Sequence, residues 1–385
     1  MLNFDALHKQ FSGFGQYQSQ ERKRKAILLE RALEVFTTYD SSGFEVVEEE
    51  IGRPEKLVAV PLEVPVLQQA AGKRPTPMTV VASDGSQIYP DRNVEPLCYL
   101  LNLSRIAFQY GTTEQPVMDA VPYLYFKGQD LNAVDGPDID VAGPEVVSAL
   151  RDELELQTLL DTAHEMRQVD RPVLAVADGT LIRWMIKRLR RPQLEAQLLQ
   201  RYFNALDQFQ KQQIPLCSYI SMPRGTEFIN YLALHMSDPA SGLVADDFAG
   251  ITDRMLFQHV LAPGERTAIF RSQSVVLQEY PPTQVICYFY VHVQGAQGAS
   301  EIARVEFPRW MITDPAMIEL VHATVLSECE KGNGYPMILS EAHEHAIVRG
   351  QERMVFYEMI EREMLQQGQV LEVSSKKRSK DLPQL

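Results

Sequence analysis

The stretch TVVASDGSQIYP, residues 79–90, joins an apolar run to the polar group SDGS. Such a run followed by turn residues predicts a buried strand that delivers Asp84 to its end, and Gly85 permits a tight turn behind it. Residues 173–180, VLAVADGT, repeat the pattern and place Asp178 at the end of a second strand. The two strands could therefore bring both carboxylates to one edge of a sheet.

Two carboxylates at one sheet edge would suit Mg²⁺ or Mn²⁺, since both ions prefer oxygen ligands. The alternative is that each Asp-Gly pair is simply a turn, because both residue types are favoured in turns. Because the Asp-Gly pair recurs after two apolar strands, the metal-binding interpretation is about as well supported as the turn interpretation.

The chain has 385 residues, 45% of them hydrophobic and 23% charged, which is typical of a globular protein with one large domain or two ordinary ones. Its formal net charge of −14 argues against nucleic-acid binding over the whole surface but permits a local basic channel. No run of about 18 apolar residues and no signal-peptide pattern is present, so we expect a cytoplasmic protein. The cysteines are far apart and form no CxxC pair, which predicts free thiols at Cys98, Cys217, Cys287 and Cys329.

Apolar periodicity predicts both helices and strands along the chain. An amphipathic helix is expected over residues 19–38, and residues 40–75 are expected to loop across the surface. The apolar runs that follow Asp84 suggest an antiparallel meander. A long helix over 144–169 then leads directly into the Asp178 strand as a helix-to-strand crossover.

A basic segment follows Asp178 in the region Leu181–Tyr202. Because Pro192 breaks or kinks a helix, we expect the basic part to be a helix of its own. Arg183, Lys187 and Arg190 are three or four residues apart, so several basic side chains would share one face. That face is either a solvated surface or a contact with the phosphate backbone of a nucleic acid.

Two further groups of residues could carry chemistry. On the helix before the Asp178 strand, neither Glu153 nor Glu155 is centred in the apolar stripe, and each would be a surface residue unless it binds a metal.

Near the C-terminus, Tyr335 precedes a proline, and Ser340 is a plausible N-cap of a helix that would hold His343 in its first turn. By itself, a histidine there is usually structural or exposed.

The sequence resembles the NurA nuclease family, whose genes often accompany a HerA-type translocase. Four motifs in the family's order carry the resemblance and span roughly residues 78 to 350, although the N-terminal 75 residues match no motif. The motifs are VASDGSQ (81–87), AVADGTL (175–181), ITDR with LAPGERT (251–254 and 261–267), and GYP with LSEAH (334–336 and 339–343).

The resemblance implies an α/β fold in which an RNase H-like, PIWI-related mixed sheet is flanked by helices and carries an N-terminal helical extension. We therefore expect an N-terminal extension and linker (1–75) and a nuclease domain (76–365), followed by a tail (366–385) whose polar and charged composition from Ser374 predicts disorder. The resemblance also implies a homodimer that cuts DNA as an endonuclease and 5′-to-3′ exonuclease in concert with the HerA-type ATPase, processing DNA ends in double-strand break repair.

Carried over residue by residue, the resemblance assigns the active site. Asp84 and Asp178 match the two strand-borne ligands of a site for Mn²⁺ or Mg²⁺, with two ions expected. Glu155, four residues after Arg151, fits the third carboxylate better than Glu153 does. Tyr335 and His343 match the family's Tyr-Pro and His positions near the active site. Gly-Thr after Asp178 departs from the commoner Gly-Ser.

The sequence is compatible with two other classes of function. One is a non-catalytic DNA-binding or scaffold subunit that keeps the fold, and the presence of both aspartates argues against it. The other is a metal-dependent phosphohydrolase that acts on small phosphate esters, which fits the carboxylates but not the basic segment.

Overall fold

The computed structural model describes residues 2–46, 57–126, 143–189, 191–236, 245–295 and 297–374. Its strands, numbered β1 to β14 in chain order, are Val60–Pro61, Gln68–Ala70, Met78–Ala82, Gly85–Ile88, Val94–Glu95, Cys98–Tyr110, Val117–Phe126, Val173–Asp178, Leu216–Ile220, Glu265–Thr267, Phe270–Arg271, Ile286–Gln294, Ser300–Pro308 and Glu372–Val373. Its helices, numbered α1 to α8, are Phe4–Thr38, Pro144–Glu165, Pro192–Lys211, Glu227–Tyr231, Asp253–Val260, Pro315–Lys331, Met337–Ala346 and Gly350–Gln366.

Twelve of these strands form one mixed sheet. Its main path runs β1-β11-β12-β13-β9-β8-β3-β6-β4, with β7 beside β6 and with β10 and β2 beyond β12. The centre of the sheet, β3-β8-β9, is parallel, and the pairs around it are antiparallel. The predicted meander is present, since β4 and β7 both pair antiparallel with β6.

Both faces of the central strands are buried, which explains their uninterrupted apolar sequence. Along β3, Val80 and Ala82 face a core that includes α6 and α7, whereas Val81 faces the opposite core beneath α2 and α3. On β8, Leu174 and Val176 face the first core, and Ala175 faces the second. Successive side chains of a strand point to opposite faces, so helices cover the sheet from both sides. The predicted mixed sheet flanked by helices is confirmed.

The N-terminal region departs from prediction in two ways. Helix α1 begins at Phe4 rather than near residue 19, because the side chain of Asn3 accepts a hydrogen bond from the Ala6 amide at 3.0 Å and caps the helix. The expectation that residues 40–75 only loop across the surface is wrong for 58–61, which are buried and include β1, and for 68–70, where β2 pairs with β10. Residues 47–56 lie outside the described residues.

Three further boundaries differ from the sequence analysis. Helix α2 ends at Glu165 rather than at 169. Residues 181–189 do not form the predicted basic helix but a loop with one 3₁₀ turn at Ile186–Arg188. Helix α3 begins at Pro192, where proline is favoured in the first helical turn. The disordered tail cannot begin at 366, since β14 pairs with β5. Residues 375–385 lie outside the described part of the chain.

Two predictions made from composition can be compared with the structure. All four cysteines have free thiols, as expected. None of the helices in the described residues is long and apolar enough to cross a membrane.

Candidate active site

Asp84 and Asp178 lie side by side at the carboxyl edge of the sheet. Strands β3 and β8 are parallel neighbours with Ala82 opposite Val176, so two more residues along each strand lead to the two aspartates. Although Asp178 is exposed, the surrounding protein removes enough water from its carboxyl group to raise its pKa. The nearby charge of Asp84 raises this pKa further. The two carboxylates that the sequence pattern predicts are therefore brought together.

The two glycines after the aspartates serve different needs. Gly179 has a φ of +72°, which glycine adopts readily, and its amide donates a hydrogen bond to Asp178 Oδ1 at 2.9 Å. Gly85 provides room instead. A Cβ at this position would come within 2.7 Å of Glu155 Oε1 and 2.8 Å of Arg151 Cγ. The tight-turn explanation therefore holds for Gly179, whereas Gly85 permits close approach of helix α2 to the sheet.

Glu155 joins this pair of aspartates from helix α2. Its side chain is 21% exposed, but Oε1 is closed to solvent and has no hydrogen-bond partner. Arg151 Nε lies 2.9 Å from this oxygen without the alignment of a hydrogen bond, so their attraction is electrostatic. Burial raises the pKa of Glu155 to about 8, against a usual value of 4.5, despite the opposing effect of Arg151.

Glu153 has a different environment. Its side chain is only 7% exposed, and its carboxylate faces Arg201 of α3 at 3.7 Å, within the interface between the two helices. Burial raises its pKa as well. Two residues of a helix separate the side chains by about 200°, so only one of these glutamates can face the sheet edge. The structure places Glu155 there.

Tyr335 approaches Asp178 from the opposite side of the sheet. It follows the turn that ends α6, and its hydroxyl donates a hydrogen bond to Asp178 Oδ1 at 2.9 Å. The ring packs edge-on against Tyr219 of β9, at 5.4 Å between centroids. Burial and then the negative charge of Asp178 raise the pKa of the phenol, so it remains a donor.

His343 completes the group by contacting Asp84. Its Nδ1 lies 2.9 Å from Asp84 Oδ2, and the side chain is 64% exposed. An ionised carboxylate only accepts hydrogen bonds, so Nδ1 carries the hydrogen and Nε2 of the neutral ring keeps a lone pair. The prediction that His343 lies in the first turn of a helix capped by Ser340 is wrong. Helix α7 begins at Met337, directly after a proline, and His343 lies in its last turn.

The basic residues after Asp178 have mostly internal partners. Arg183 donates from Nη1 to the carbonyl of Thr180 at 3.0 Å, and its guanidinium stacks over Tyr202. Lys187 forms an ion pair with Glu279 at the surface. Arg190 lies outside the described residues. The structure therefore brings Arg183 toward the site, where its charge acts on Glu155, and does not assemble the predicted basic helix face.

Two residues that sequence analysis did not assign hold the helix that bears His343. Ser86 Oγ donates to the carbonyl of Ala346 and accepts from the amide of Val348 at 3.1 Å. Asn102 Nδ2 also donates to the Ala346 carbonyl, at 2.8 Å. Ser86 belongs to the SDGS group that the sequence analysis singled out, but its hydrogen-bond partners lie far away in the chain and could not be identified from sequence.

Glu306 is a third unassigned residue, and it fixes the loop after Asp178. One of its carboxylate oxygens, Oε2, accepts from Thr180 Oγ1 at 2.8 Å and from the Leu181 amide at 2.9 Å. The other oxygen, Oε1, accepts from Arg304 Nε at 2.8 Å. Arg304 also pairs with Glu227 at 2.6 Å, and all three charged residues are buried. No motif marks Glu306, because it lies within the apolar strand β13.

The donors at this edge fit a hard divalent cation in chemical type. Asp84, Asp178 and Glu155 offer only oxygen ligands, and Glu155 Oε1 is a buried oxygen with no hydrogen-bond partner. Such an atom gains most from a cation, since an unsatisfied buried acceptor costs free energy. As they stand, with Asp84 held by His343 and Asp178 by Tyr335, the described residues contain no group of three His, Cys, Asp or Glu side chains placed to hold a metal.

Comparisons with known proteins place the chain in a family. The NurA domain family model matches residues 78–348, a range that includes all five of the site residues. The NurA nuclease from Sulfolobus solfataricus has a similar fold, with a TM-score of 0.53, 11% identity, and coverage of 93% of this chain and 98% of that chain.

More distant solved structures include LC9-RNase H1 (12% identity, TM-score 0.20, 38% of this chain and 63% of that chain) and Drosophila Piwi (11%, 0.28, 69% and 29%). No curated protein matches the chain significantly. Because the family model covers most of the chain, and because its range contains the carboxylate site, this protein belongs to the NurA domain family.

Proposed function

We propose that this chain is a metal-dependent DNA nuclease that hydrolyses phosphodiester bonds at the carboxyl edge of its sheet. Membership of the NurA family supports a nuclease role. The proposal of metal-dependent cleavage is supported by three carboxylates that meet at one sheet edge, those of Asp84, Asp178 and Glu155. Tyr335 and His343 are hydrogen-bonded to two of them.

In this proposal Asp84, Asp178 and Glu155 hold two Mn²⁺ or Mg²⁺ ions. When bound, such ions supply an activated water and neutralise the charge on the leaving oxygen. The protein's own contribution is to position the carboxylates from both faces of the sheet. With its Nδ1–H engaged by Asp84, His343 can orient a water or accept its proton through Nε2. Tyr335 holds Asp178 and can donate to a phosphate oxygen.

DNA contacts are proposed for Arg183, Lys187 and Arg190. Arg183 supports this role through its position beside Glu155, where a guanidinium could also reach a phosphate. To bind a phosphate, Lys187 would have to break its ion pair with Glu279. The free-energy cost is small, because an exposed ion pair contributes at most about 1 kcal/mol. The overall charge of −14 requires such local contacts.

The proposal extends to partners and pathway. We infer combined endonuclease and 5′-to-3′ exonuclease action on DNA ends in double-strand break repair, together with a HerA-type hexameric ATPase. We also infer a homodimer. Helix α8 supports this inference, since none of its residues is buried although it carries Met354, Val355 and Met359. Exposed apolar patches of this kind mark interaction surfaces.

The test is incubation of purified protein with end-labelled single- and double-stranded DNA in Mn²⁺, Mg²⁺ or EDTA. We expect cleavage with either ion and none in EDTA. Asp84→Asn and Asp178→Asn should abolish cleavage without loss of the folded circular-dichroism spectrum, whereas Asp161→Asn, an exposed carboxylate on the same helix as Glu155, should cleave as the parent does. Full activity in either strand-end variant would refute the site.

Two alternatives are separated by the same assay. A scaffold subunit would bind DNA without cleaving it under any metal condition. A phosphohydrolase of small esters would hydrolyse p-nitrophenyl phosphate while leaving both DNA substrates intact.

A further inference from the structure

An exposed aromatic side chain lies a short way along the chain from the carboxylate pair. In the segment between Asp178 and α3, the apolar residues Leu181, Ile182, Ile186 and Leu189 are buried. The two residues at the tip of the segment are exposed instead: Trp184 is 42% exposed and Met185 is 50% exposed. Large apolar side chains at the surface are informative when they cluster beside a functional site.

The position of this tip is restricted by the structure. Trp184 is the sixth residue after Asp178, so their Cα atoms lie no more than about 22 Å apart. Hydrogen bonds hold the loop before the tip, and the buried side chain of Ile186 anchors it after the tip. Tyr280 accepts from the Arg183 amide at 2.8 Å, and the hydroxyls of Tyr202 and Tyr280 donate to the Leu181 carbonyl. The indole is therefore presented from a fixed backbone.

A third exposed apolar side chain lies on the same edge. Strand β9 pairs with β8 in parallel, with Tyr219 opposite Asp178, and Met222 follows three residues later with 55% of its surface exposed. Its φ of +46° is uncommon for a residue with a side chain. The segments that follow the carboxyl ends of β8 and β9 thus carry three exposed apolar side chains, Trp184, Met185 and Met222, on the same edge of the sheet as the carboxylates.

We propose that Trp184 is a stacking platform for an unpaired nucleobase of the DNA strand that enters or leaves the site. This inference rests on the proposed nuclease function. A strand whose phosphate lies at the carboxylates must place its neighbouring nucleotides over the adjacent surface. Bases of single-stranded DNA stack on aromatic side chains irrespective of sequence, whereas bases paired within a duplex have their faces covered by neighbouring pairs. The platform therefore favours single-stranded segments or frayed ends.

The composition of the chain makes this proposal directly measurable. It contains two tryptophans, Trp184 and Trp310, and Trp310 is only 5% exposed within the core. A change in tryptophan fluorescence on adding DNA therefore reports on Trp184. The protein is titrated in EDTA with a 5′-fluorescein oligothymidylate and with an abasic strand of the same length and charge. Anisotropy of the fluorescein measures binding, and unlabelled strands are used to measure tryptophan emission.

We expect the oligothymidylate to quench the tryptophan emission and the abasic strand to leave it unchanged. Trp184→Ala should weaken binding of the oligothymidylate by roughly 5- to 150-fold, the range found for loss of one base stack, and should not weaken binding of the abasic strand. Trp184→Phe, which keeps an aromatic face, should bind within a few-fold of the parent.

Three results would overturn the platform. The first is that Trp184→Ala weakens binding of the oligothymidylate and of the abasic strand equally. The second is that Trp184→Ala and Trp184→Phe weaken binding of the oligothymidylate equally. The third is that the parent protein binds oligothymidylate without any change in tryptophan emission. Any of them would leave the nuclease proposal standing, because cleavage of labelled DNA is measured separately. A parent that neither binds nor cleaves either strand would refute both proposals.

Discussion

The hydroxyl of Tyr335 donates a hydrogen bond to Oδ1 of Asp178 across 2.9 Å, which links the turn after α6 to the end of a strand 157 residues earlier in the chain. This bond favours the ionised carboxylate and lowers the pKa of Asp178, in opposition to desolvation and the charge of Asp84. Tyr335 therefore helps to determine the pH at which Asp178 can bind a cation.

Tyr335→Phe should shift the acid limb of the cleavage profile to higher pH. Without the phenol, desolvation raises the pKa of Asp178 further, so a larger fraction is protonated at a given low pH. The measurement is kcat/KM for DNA cleavage between pH 5 and 9 at saturating Mn²⁺. The loss of rate should be smaller at high pH than at low pH. A uniform loss at every pH would mean that the hydroxyl contacts substrate rather than adjusts Asp178.

His343→Ala should lower the cleavage rate by about 10²–10⁴-fold, the usual effect of losing acid–base assistance. His343 contacts Asp84 through Nδ1 and belongs to no described cluster placed to hold a metal. Manganese affinity, measured by calorimetry, should therefore remain within a few-fold of the parent. His345→Ala is the matched control, since this histidine lies on the same last turn and should be dispensable. Loss of metal binding in His343→Ala would make His343 a ligand.

Glu155→Gln should raise the Mn²⁺ concentration needed for half-maximal cleavage, and Glu153→Gln should not. Glu155 lies against Gly85, the residue after Asp84, whereas Glu153 faces Arg201 in the interface between α2 and α3. The measurement is a Mn²⁺ titration of cleavage for both variants. The opposite result would assign the third carboxylate to Glu153.

The raised pKa of Glu155 also predicts how stability depends on pH in the absence of metal. Between pH 4.5 and about 8 the folded protein keeps a proton that the unfolded chain has released. Stability therefore falls as pH rises through this window, by at most about 1.4 kcal/mol per pH unit from this group. Glu155→Gln lacks the proton equilibrium, so in urea unfolding with EDTA its stability relative to the parent should increase from pH 5 to pH 8. A constant difference would mean that Glu155 is ionised in the folded protein.

The sequence predicted the parts of the site that depend on local pattern. Asp84 and Asp178 end apolar runs, and continuous apolar sequence is what a strand buried on both faces requires. Helix starts were less predictable, because competing signals lie close together. Ser340 is a good N-cap, yet Pro336 fixes the backbone four residues earlier, and α7 begins at Met337.

Tertiary contacts were the least predictable part. Arg183 and Lys187 have helical spacing, but their interactions with Thr180, Tyr202 and Glu279 follow from a loop that spacing alone does not reveal. The roles of Ser86 and Glu306 were missed for the same reason. Their partners lie more than 100 residues away in the chain.

Glu306→Gln should impair metal binding at the active site, although Glu306 holds the loop after Asp178 rather than serving as a metal ligand. The carboxylate accepts hydrogen bonds on both oxygens, from Arg304 on one and from Thr180 and Leu181 on the other. An amide offers one acceptor oxygen, so the variant loses either the Arg304 bond or the bonds that hold the Asp178 loop. Loss of a residue that orients a ligand typically costs 10- to 100-fold in metal affinity or activity, and we expect an increase of about this size in the Mn²⁺ requirement.

Glu227→Gln separates this positioning effect from a loss of stability. Glu227 is a buried partner of the same Arg304, whereas the bonds from Thr180 and Leu181 go to Glu306. Both variants should melt at lower temperature than the parent, because each weakens the compensation of a buried guanidinium. Only Glu306→Gln should also change the Mn²⁺ midpoint of cleavage. Thr180→Val should reproduce that change and Thr180→Ser should restore it, since serine keeps the hydroxyl that donates to Glu306. Equal Mn²⁺ midpoints in Glu306→Gln and Glu227→Gln would reduce Glu306 to a purely structural role.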